Sequence, residues 1–198
     1  MKTNLEIEVK LASDNLDRLR NAGFTLTLKK PRHFEDNWLL DTTDQTLFKQ
    51  GAALRVRKVG GRGWVTYKGV VEEGANSLLK IREEIESDAG DPDRLIDLFE
   101  RLGFHPVFRY QKYRTGYGLA FEGRELEVEF DETPMGSFIE IEGDEPAVLR
   151  VLDGAGFSTS EIIRESYPEL QALRCEARGI PLEDLIFEES EVRSQKSE

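Results

Sequence analysis

The chain has 198 residues, 38% hydrophobic and 33% charged, which is enough apolar material for one globular domain. Its formal net charge of −12 argues against partners such as a nucleic-acid duplex or an anionic membrane surface. The single cysteine excludes an intrachain disulfide, and we find no apolar run near the ~20 residues of a membrane span, so we expect a cytoplasmic protein.

The first part of the chain is predicted to be mostly extended. Residues 4–11 alternate apolar and polar side chains with the two-residue period of a β-strand. A short helix is predicted around residues 14–22, and Gly23 ends it. Two extended segments follow at 24–30 and 32–40, and Pro31 separates them.

The middle of the chain carries a β-hairpin signal. A helical turn is predicted after residues 41–44, and Gly51 ends it. The alternating segments 52–59 and 63–70 then flank Gly60 and Gly61, the residue type that a tight hairpin turn requires.

The next elements are one strand, one helix and three further strands. Residues 77–86 alternate as a strand, and residues 91–104 have the 3.6-residue apolar period of a helix with Asp91 as its N-cap. Strands are predicted at 107–118, 124–131 and 136–142. Eight strands are enough to close a barrel with a usable interior.

From residue 145 onward the pattern becomes helical. Two helices and a short last one, "PLEDLIF", are predicted before a polar end at 189–198 that we expect to be disordered. The fold class is therefore predicted as α+β: an eight-stranded antiparallel β-barrel with flanking helices and a helical C-terminus, in a single domain spanning residues 1–188.

The polar faces of these strands are sorted by charge. Strands in the middle of the chain carry Lys and Arg, whereas the first and the last two strands carry carboxylates. A solvated face is the usual explanation for a charged strand, but such a face normally mixes the two signs because like charges repel across strands. We therefore expect the ionic faces to line an enclosed cavity.

Two chemistries follow from the sorted charges. Carboxylates without His or Cys suit a hard divalent cation, Mg²⁺ or Mn²⁺. A wall of Arg and Lys suits a multiply charged anion, because Arg forms forked contacts with phosphate oxygens and Lys supplies a point charge. Together they match what binding a triphosphate requires.

The order of the motifs resembles the CYTH family, the triphosphate tunnel metalloenzymes. The matching motifs are "EIEVK" at 6–10, "LRVR", "YKG", "REE", "KYR" and "DETPMGSFIEIE" at 131–142. The resemblance implies an eight-stranded antiparallel tunnel. It also implies an enzyme that hydrolyses inorganic or organic triphosphates, removes RNA 5′ triphosphate ends, or cyclises ATP.

The resemblance also implies roles for individual residues. Lys10 and Glu8 are expected to be catalytic. The expected metal ligands are Glu6, Glu8, Asp131, Glu140 and Glu142. The expected substrate contacts are Lys10, Arg55, Arg57, Lys68, Arg82, Lys112 and Arg114.

Several other residues in or near these motifs are also assigned a predicted role. Glu84 is expected to orient Arg82 rather than to bind metal, and Glu127 and Glu129 to be rim or ion-pair residues. Either Asp36 or Asn37 occupies a place that is acidic in the family. Trp38, His33, His105, Tyr167 and Cys175 are given structural interpretations, with no partners identified for the two histidines.

Three functions remain open at this point. The first is metal-dependent hydrolysis of a triphosphate-containing small molecule, favoured because we identify no residues that would recognise adenine. The alternative is an adenylyl cyclase that converts ATP to cyclic AMP and pyrophosphate in the same site. The third is a non-catalytic polyphosphate-binding module; the oligomeric state, monomer or homodimer, is not indicated.

Overall fold

The computed structural model of the protein describes residues 5–71 and 78–188. The predicted tail at 189–198 lies outside the described residues. Within them the strands are β1 (Leu5–Ala12), β2 (Leu26–Asp41), β3 (Ala53–Val59), β4 (Arg62–Val71), β5 (Lys80–Gly90), β6 (His105–Phe121), β7 (Arg124–Thr133), β8 (Gly136–Glu142) and β9 (Ile162–Ile163). The helices are α1 (Asp17–Asn21), α2 (Thr46–Lys49), α3 (Pro92–Arg101), α4 (Glu145–Gly154) and α5 (Tyr167–Ala177).

Eight of the strands form a closed antiparallel barrel, as predicted. Their order is β5-β4-β3-β2-β6-β7-β8-β1, and pairing of β1 with β5 closes the circle. The short ninth strand lies outside and pairs with β1 at Lys10 and Leu11. None of the described helices is long and apolar enough to cross a bilayer.

The hydrophobic core lies outside the barrel rather than within it. The outward residues of β1, β7 and β8, such as Leu11, Val128 and Ile139, are fully buried under α1 and α4. A second cluster packs α3 against Leu54 and Val56 of β3. Because side chains alternate between the two faces of a strand, burying the apolar face against helices turns the ionic face inward.

Two local sequence signals have the predicted structures. Gly60 and Gly61 have φ values of 54° and 84°, the left-handed conformation of a two-residue hairpin turn. The Asp91 side chain accepts hydrogen bonds from the backbone N–H groups of Asp93 and Arg94, at 3.0 and 3.2 Å, and so caps α3.

Two predictions about individual segments, a break at Pro31 and a last short helix, are wrong. Strand β2 continues through Pro31 because the pairing with β6 shifts register between Lys30 and His33, so the missing N–H falls at an irregularity. The segment "PLEDLIF" is not a helix: Leu185 instead forms a parallel bridge with Tyr110 of β6. There β6 extends past the end of β7, whose pairing stops at Tyr113. The Gln111 backbone N–H donates to the Leu185 carbonyl at 2.8 Å, and the Leu185 N–H donates to the Arg109 carbonyl at 2.9 Å.

Candidate active site

The barrel encloses a cavity of about 1130 Å³ with ionic walls. Eleven of the twelve side chains predicted for the site line it, and the remaining one is Asp131. Glu6, Arg57 and Glu140 all face this interior, which confirms that the ionic faces of the strands point inward.

The carboxylate strands are neighbours on one side of the cavity. Glu142 lies in register with Glu8 on one flank and with Glu127 on the other. Burial, followed by the nearby carboxylates of Glu6 and Glu129, raises the pKa of Glu142 to about 8. Negative charge is therefore in excess at this end of the cavity, which we call the carboxylate end (Glu8, Glu127 and Glu142).

Lys10 is held by groups from two distant parts of the chain. Its Nζ donates to the backbone carbonyl of Glu165 at 2.9 Å and lies 3.4 Å from Glu140. The ammonium also lies 4.3 Å from the ring centroid of Tyr167. Only 5% of Lys10 is exposed, so the residue is fixed in orientation and faces the cavity.

Glu6 and Glu84 both pair with Lys68. The Nζ of Lys68 lies 2.6 and 2.8 Å from the two carboxylate oxygens of Glu6 and 2.7 Å from Glu84. Burial alone would lower the pKa of Lys68, but the surrounding carboxylates outweigh it and raise that pKa. The expectation that Glu84 orients Arg82 is wrong, since its partner is Lys68.

Asp131 lies behind the cavity wall rather than in it. Its carboxylate is fully buried and accepts hydrogen bonds from Arg114 at 2.6 Å (twice), Lys112 at 2.8 Å and the Tyr167 hydroxyl at 2.7 Å. Both oxygens are therefore occupied by protein donors. This position supports a role in holding Lys112 and Arg114 rather than the metal-binding role expected from the motif.

Arg114 connects Asp131 to the carboxylates that do line the cavity. Its guanidinium forms ion pairs with Glu129 and Glu140 as well as Asp131. Burial would lower the pKa of Arg114, but these three carboxylates hold it well above its usual value. Glu129 forms the ion pair expected of it, and Glu127 is exposed and lines the carboxylate end of the cavity.

Arg55 and Arg57 are held by the opposite wall. Arg57 donates to both oxygens of Glu86 at 2.9 and 2.8 Å, and Arg55 donates to Thr66 at 3.1 Å. The Nε atoms of Arg55, Arg57 and Arg82 are buried, with no hydrogen-bond partner among the described residues. A buried donor without an acceptor is costly, and an anionic ligand could relieve that cost.

Sequence reasoning missed Glu35, which lies behind the basic wall and contacts the cavity-lining residues Arg57 and Lys112. Glu35 is only 1% exposed, and its carboxylate lies 3.3 Å from Arg57 and 3.7 Å from Lys112. Burial would raise the pKa of Glu35, but Lys112 and then His33 hold it well below its usual range. Extending the alternation of β2 back from Leu39 and Asn37 would have placed this carboxylate on the inward face of the strand.

Two residues that line the cavity, Tyr110 and Lys80, were also missed. Tyr110 accepts a hydrogen bond from Arg55 at 3.3 Å. Lys80 lies in register with Glu8, and burial together with Arg82 lowers the pKa of Lys80 to about 8. The sequence signal for Lys80 was its position on the same strand face as Arg82.

The residues around Trp38 face away from the cavity. The Trp38 indole donates to Asp36 at 3.2 Å and lies 4.8 Å from both Lys58 and Arg109, which confirms its structural role. Asp36 is paired with Arg109 on this outer face, so the fully buried Asn37 takes the inward place.

The secondary interpretations of the remaining residues have mixed outcomes. The absence of a partner for His33 is wrong, because its Nε2 lies 3.3 Å from Glu35. Cys175 is buried in α5, as expected. Tyr167 docks α5, but it also contributes to the cavity wall by contacting Lys10 and Asp131.

The carboxylate oxygens at the carboxylate end are the type of ligand that a hard divalent cation prefers. Among residues 5–71 and 78–188, Glu8 and Glu142 form no side-chain ion pair or hydrogen bond, so their oxygens are open to a ligand. The same residues contain no ready-made group of three or more His, Cys, Asp or Glu that could hold a metal. Mg²⁺ commonly binds one or two carboxylates together with substrate phosphates, and this donor set is suited to that arrangement.

Comparison with known proteins identifies the family of the chain. A family model of the CYTH domain matches residues 4–163. A Methanocaldococcus jannaschii protein with a provisional adenylate cyclase name is 29% identical over 184 residues, covering 85% of this chain and 99% of that protein.

Solved structures show the same fold. The PH1819 protein from Pyrococcus horikoshii has 25% identity and a TM-score of 0.68, with 85% of this chain and 99% of that one covered. A Hippeastrum protein, provisionally named an adenylyl cyclase and described by a dominant triphosphatase activity, has 22% identity and a TM-score of 0.58. The match covers 90% of this chain and 97% of that one.

Proposed function

The chain belongs to the CYTH family, and from that premise we propose that it hydrolyses a triphosphate-containing small molecule with the help of Mg²⁺ or Mn²⁺. The observation that supports this proposal is the sorting of charge around one enclosed cavity. All seven cations expected to contact substrate line it, namely Lys10, Arg55, Arg57, Lys68, Arg82, Lys112 and Arg114. A carboxylate end lies beside them.

The cations are positioned before substrate arrives. Arg114 and Lys112 are held by Asp131, Arg57 by Glu86, and Lys68 by Glu6. Because these donors are already fixed, they need little reorganisation when negative charge develops on a phosphoryl group. They can therefore stabilise the transition state without a free-energy cost for ordering the side chains. We propose that these side chains bind the phosphate oxygens and set the position of the scissile bond.

The carboxylate end would hold the metal ion. Glu8 and Glu142, whose oxygens are open, are the proposed principal ligands, with Glu6 and Glu140 contributing after release from their ion pairs. A bound divalent cation would neutralise phosphate charge and lower the pKa of a coordinated water. Lys10, which lies two residues along β1 from Glu8, is proposed to hold the substrate phosphates against this end.

Adenylyl cyclase activity is a second candidate because the M. jannaschii relative carries that name. In this reaction the ribose 3′ hydroxyl would attack the α-phosphorus and pyrophosphate would leave. The triphosphatase description of the Hippeastrum protein supports hydrolysis in the same fold. A binding module without turnover is the third outcome that an experiment must distinguish.

Phosphorus NMR of product mixtures separates the three functions. The purified chain is incubated with tripolyphosphate or with ATP, in Mg²⁺ or Mn²⁺. Orthophosphate and pyrophosphate from tripolyphosphate support hydrolysis, while cyclic AMP and pyrophosphate from ATP support the cyclase. Binding of tripolyphosphate without any product would support the module and contradict the proposal.

A charge-neutral substitution tests the carboxylate end. Glu8→Gln should lower kcat/KM by at least about a hundredfold while the unfolding transition stays close to that of the parent. The matched control is Glu100→Gln, the same change at an exposed position on α3, which should leave kcat/KM unaltered. Full activity in Glu8→Gln would remove this residue from the reaction.

A further inference from the structure

Two buried carboxylates lie behind the cations of the cavity wall. Among the described residues, five other carboxylates pair with a cation of the wall and line the cavity themselves, namely Glu6, Glu84, Glu86, Glu129 and Glu140. Glu35 and Asp131 also pair with wall cations, but they do not line the cavity and are only 1% and 0% exposed. Either residue therefore acts on a bound ligand only through the cations that it holds.

Glu35 connects cations from two strands that do not pair with each other. Its own strand, β2, lies between β3 and β6 in the barrel. One carboxylate oxygen lies 3.3 Å from Nη1 of Arg57, on β3, and the other lies 3.7 Å from Nζ of Lys112, on β6. Long Arg and Lys side chains have many rotamers when nothing holds them. A single carboxylate thus restrains two charged groups that reach the cavity from different strands.

Arg57 is held at both ends of its guanidinium. Its Nη2 donates to the two oxygens of Glu86 at 2.9 and 2.8 Å, while its Nη1 donates to Glu35. The Glu86 side chain is 32% exposed and that of Glu35 only 2%, so solvent screens the contact with Glu35 less. Without the contact to Glu35, the guanidinium is free to rotate about Glu86.

Lys112 extends this arrangement towards β7. Its Nζ lies 2.8 Å from Asp131, which in turn pairs with Arg114. The charges therefore alternate from Arg57 through Glu35, Lys112 and Asp131 to Arg114, across four neighbouring strands. Removing the charge of Glu35 divides this series and separates Arg57 from the other two cations.

The charge of Glu35 opposes the binding of an anion. Burial would raise the pKa of Glu35, but Lys112 holds it well below its ordinary range, so the carboxylate is ionised. A negative charge directly behind the wall repels a triphosphate. A wall that only attracted anions would bind them more tightly without this charge. Fixing two cations in place offsets that repulsion, because positioned charges stabilise the transition state.

We propose that Glu35 is a positioning residue for triphosphate hydrolysis, which acts through Arg57 and Lys112 by fixing the spacing of their charged groups at the bound phosphates. This inference rests on the proposed function and adds a residue to its machinery. Glu35 itself does not contact the substrate. Its loss is therefore expected to lower kcat without weakening substrate binding.

Steady-state kinetics with tripolyphosphate and Mg²⁺ test this role in the full chain. Glu35→Gln keeps the shape of the side chain and removes its charge. We expect kcat to fall by at least about tenfold, because the two cations are no longer held in the productive geometry. KM should stay the same or fall, because a repulsive charge has been removed. An unchanged kcat, or a KM that rises by about tenfold or more, would refute the inference.

The matched control makes the same substitution outside the cavity. Glu132→Gln removes a carboxylate from the exposed pair with Arg32, at 2.7 Å, and Glu132 does not line the cavity. Both kcat and KM of this variant should equal those of the parent.

Titration calorimetry separates positioning from a purely structural role. Tripolyphosphate is titrated into the protein in EDTA, where a metal-dependent enzyme does not turn over, so the stoichiometry counts the chains that bind ligand. We expect Glu35→Gln to keep the stoichiometry of the parent with an equal or lower Kd. A stoichiometry that falls in proportion to kcat would show that Glu35 only supports folding and would overturn the inference.

A second variant keeps the charge and shortens its reach. Glu35→Asp withdraws the carboxylate by one methylene group, so it cannot contact both Arg57 and Lys112 at the distances found in the parent. We expect kcat to be lower than that of the parent by at least about threefold, with an unchanged binding stoichiometry. A parent-like kcat would show that the charge suffices and that Glu35 does not set the spacing.

The parent chain separates this inference from the proposed function. If the parent hydrolyses tripolyphosphate and both Glu35 variants match it, the positioning role is refuted and triphosphate hydrolysis stands. If the parent releases no orthophosphate from tripolyphosphate or from ATP, the proposed function itself is refuted.

Discussion

The sequence motif predicts that Asp131 binds metal, whereas the structure indicates that it holds Lys112 and Arg114 in place. A substitution at Asp131 distinguishes these two roles. Replacing Asp131 with Asn removes the negative charge between two buried cations, Lys112 and Arg114, which are 1% and 7% exposed. Taking away one partner of a buried ion pair costs about 3–5 kcal/mol, because the other carboxylates beside these cations, Glu35, Glu129 and Glu140, are already paired with them and supply no replacement charge. For a chain of 198 residues this corresponds to a fall in Tm of roughly 6–20 °C.

Urea unfolding in buffer with EDTA measures this cost without any metal ion. The matched control is Glu132→Gln on the next residue of β7, where the carboxylate is about one-third exposed and pairs with Arg32 at 2.7 Å. An exposed pair of this kind contributes at most about 1 kcal/mol. If Asp131→Asn unfolds within about 1 kcal/mol of the parent and instead requires more Mg²⁺ for activity, Asp131 is a metal ligand and our reasoning is wrong.

Two further predictions concern neighbouring groups. Tyr167→Phe removes the hydroxyl that donates to Asp131 at 2.7 Å and should lower the free energy of unfolding by about 1.5–3 kcal/mol, measured in urea; no measurable loss would show that this bond does not stabilise the fold. A hydrogen bond to Glu35 raises the pKa of His33 above the ordinary value of 6.5. The interaction therefore stabilises the fold fully at pH values below 6.5, and this stabilisation is lost as the pH rises through the folded-state pKa of His33. His33→Asn should therefore cost more stability near pH 5 than near pH 9, and equal losses in thermal unfolding scans would contradict the interaction.

The barrel could be predicted because its signal is local and repeated. The alternation in β1, β3 and β8 identifies an apolar face and an ionic face from a few consecutive residues. Amphipathic helices cover the apolar faces of these strands from outside the barrel. The ionic faces of the same strands therefore point into the barrel interior. The same logic placed eleven of the predicted site residues on the cavity.

The errors arose where partners come from distant strands. Glu84 pairs with Lys68 rather than Arg82 because the register between β4 and β5 sets those two residues opposite each other. Glu35 meets Lys112, which is 77 residues further along the chain, through pairing of β2 with β6. No spacing within a single segment carries that information.

By itself the sequence determined which face of each strand is charged and how the signs are distributed among the strands, since both depend only on neighbouring residues. Only the tertiary structure decided which carboxylates stay open and which, like Asp131, are occupied by Lys and Arg. Only the structure placed residues as distant in the chain as Phe48, Val107 and Leu182 on the lining of one cavity. The physical reason is that ion pairs and apolar surfaces act over a few ångströms, and those distances are set by strand register and helix docking.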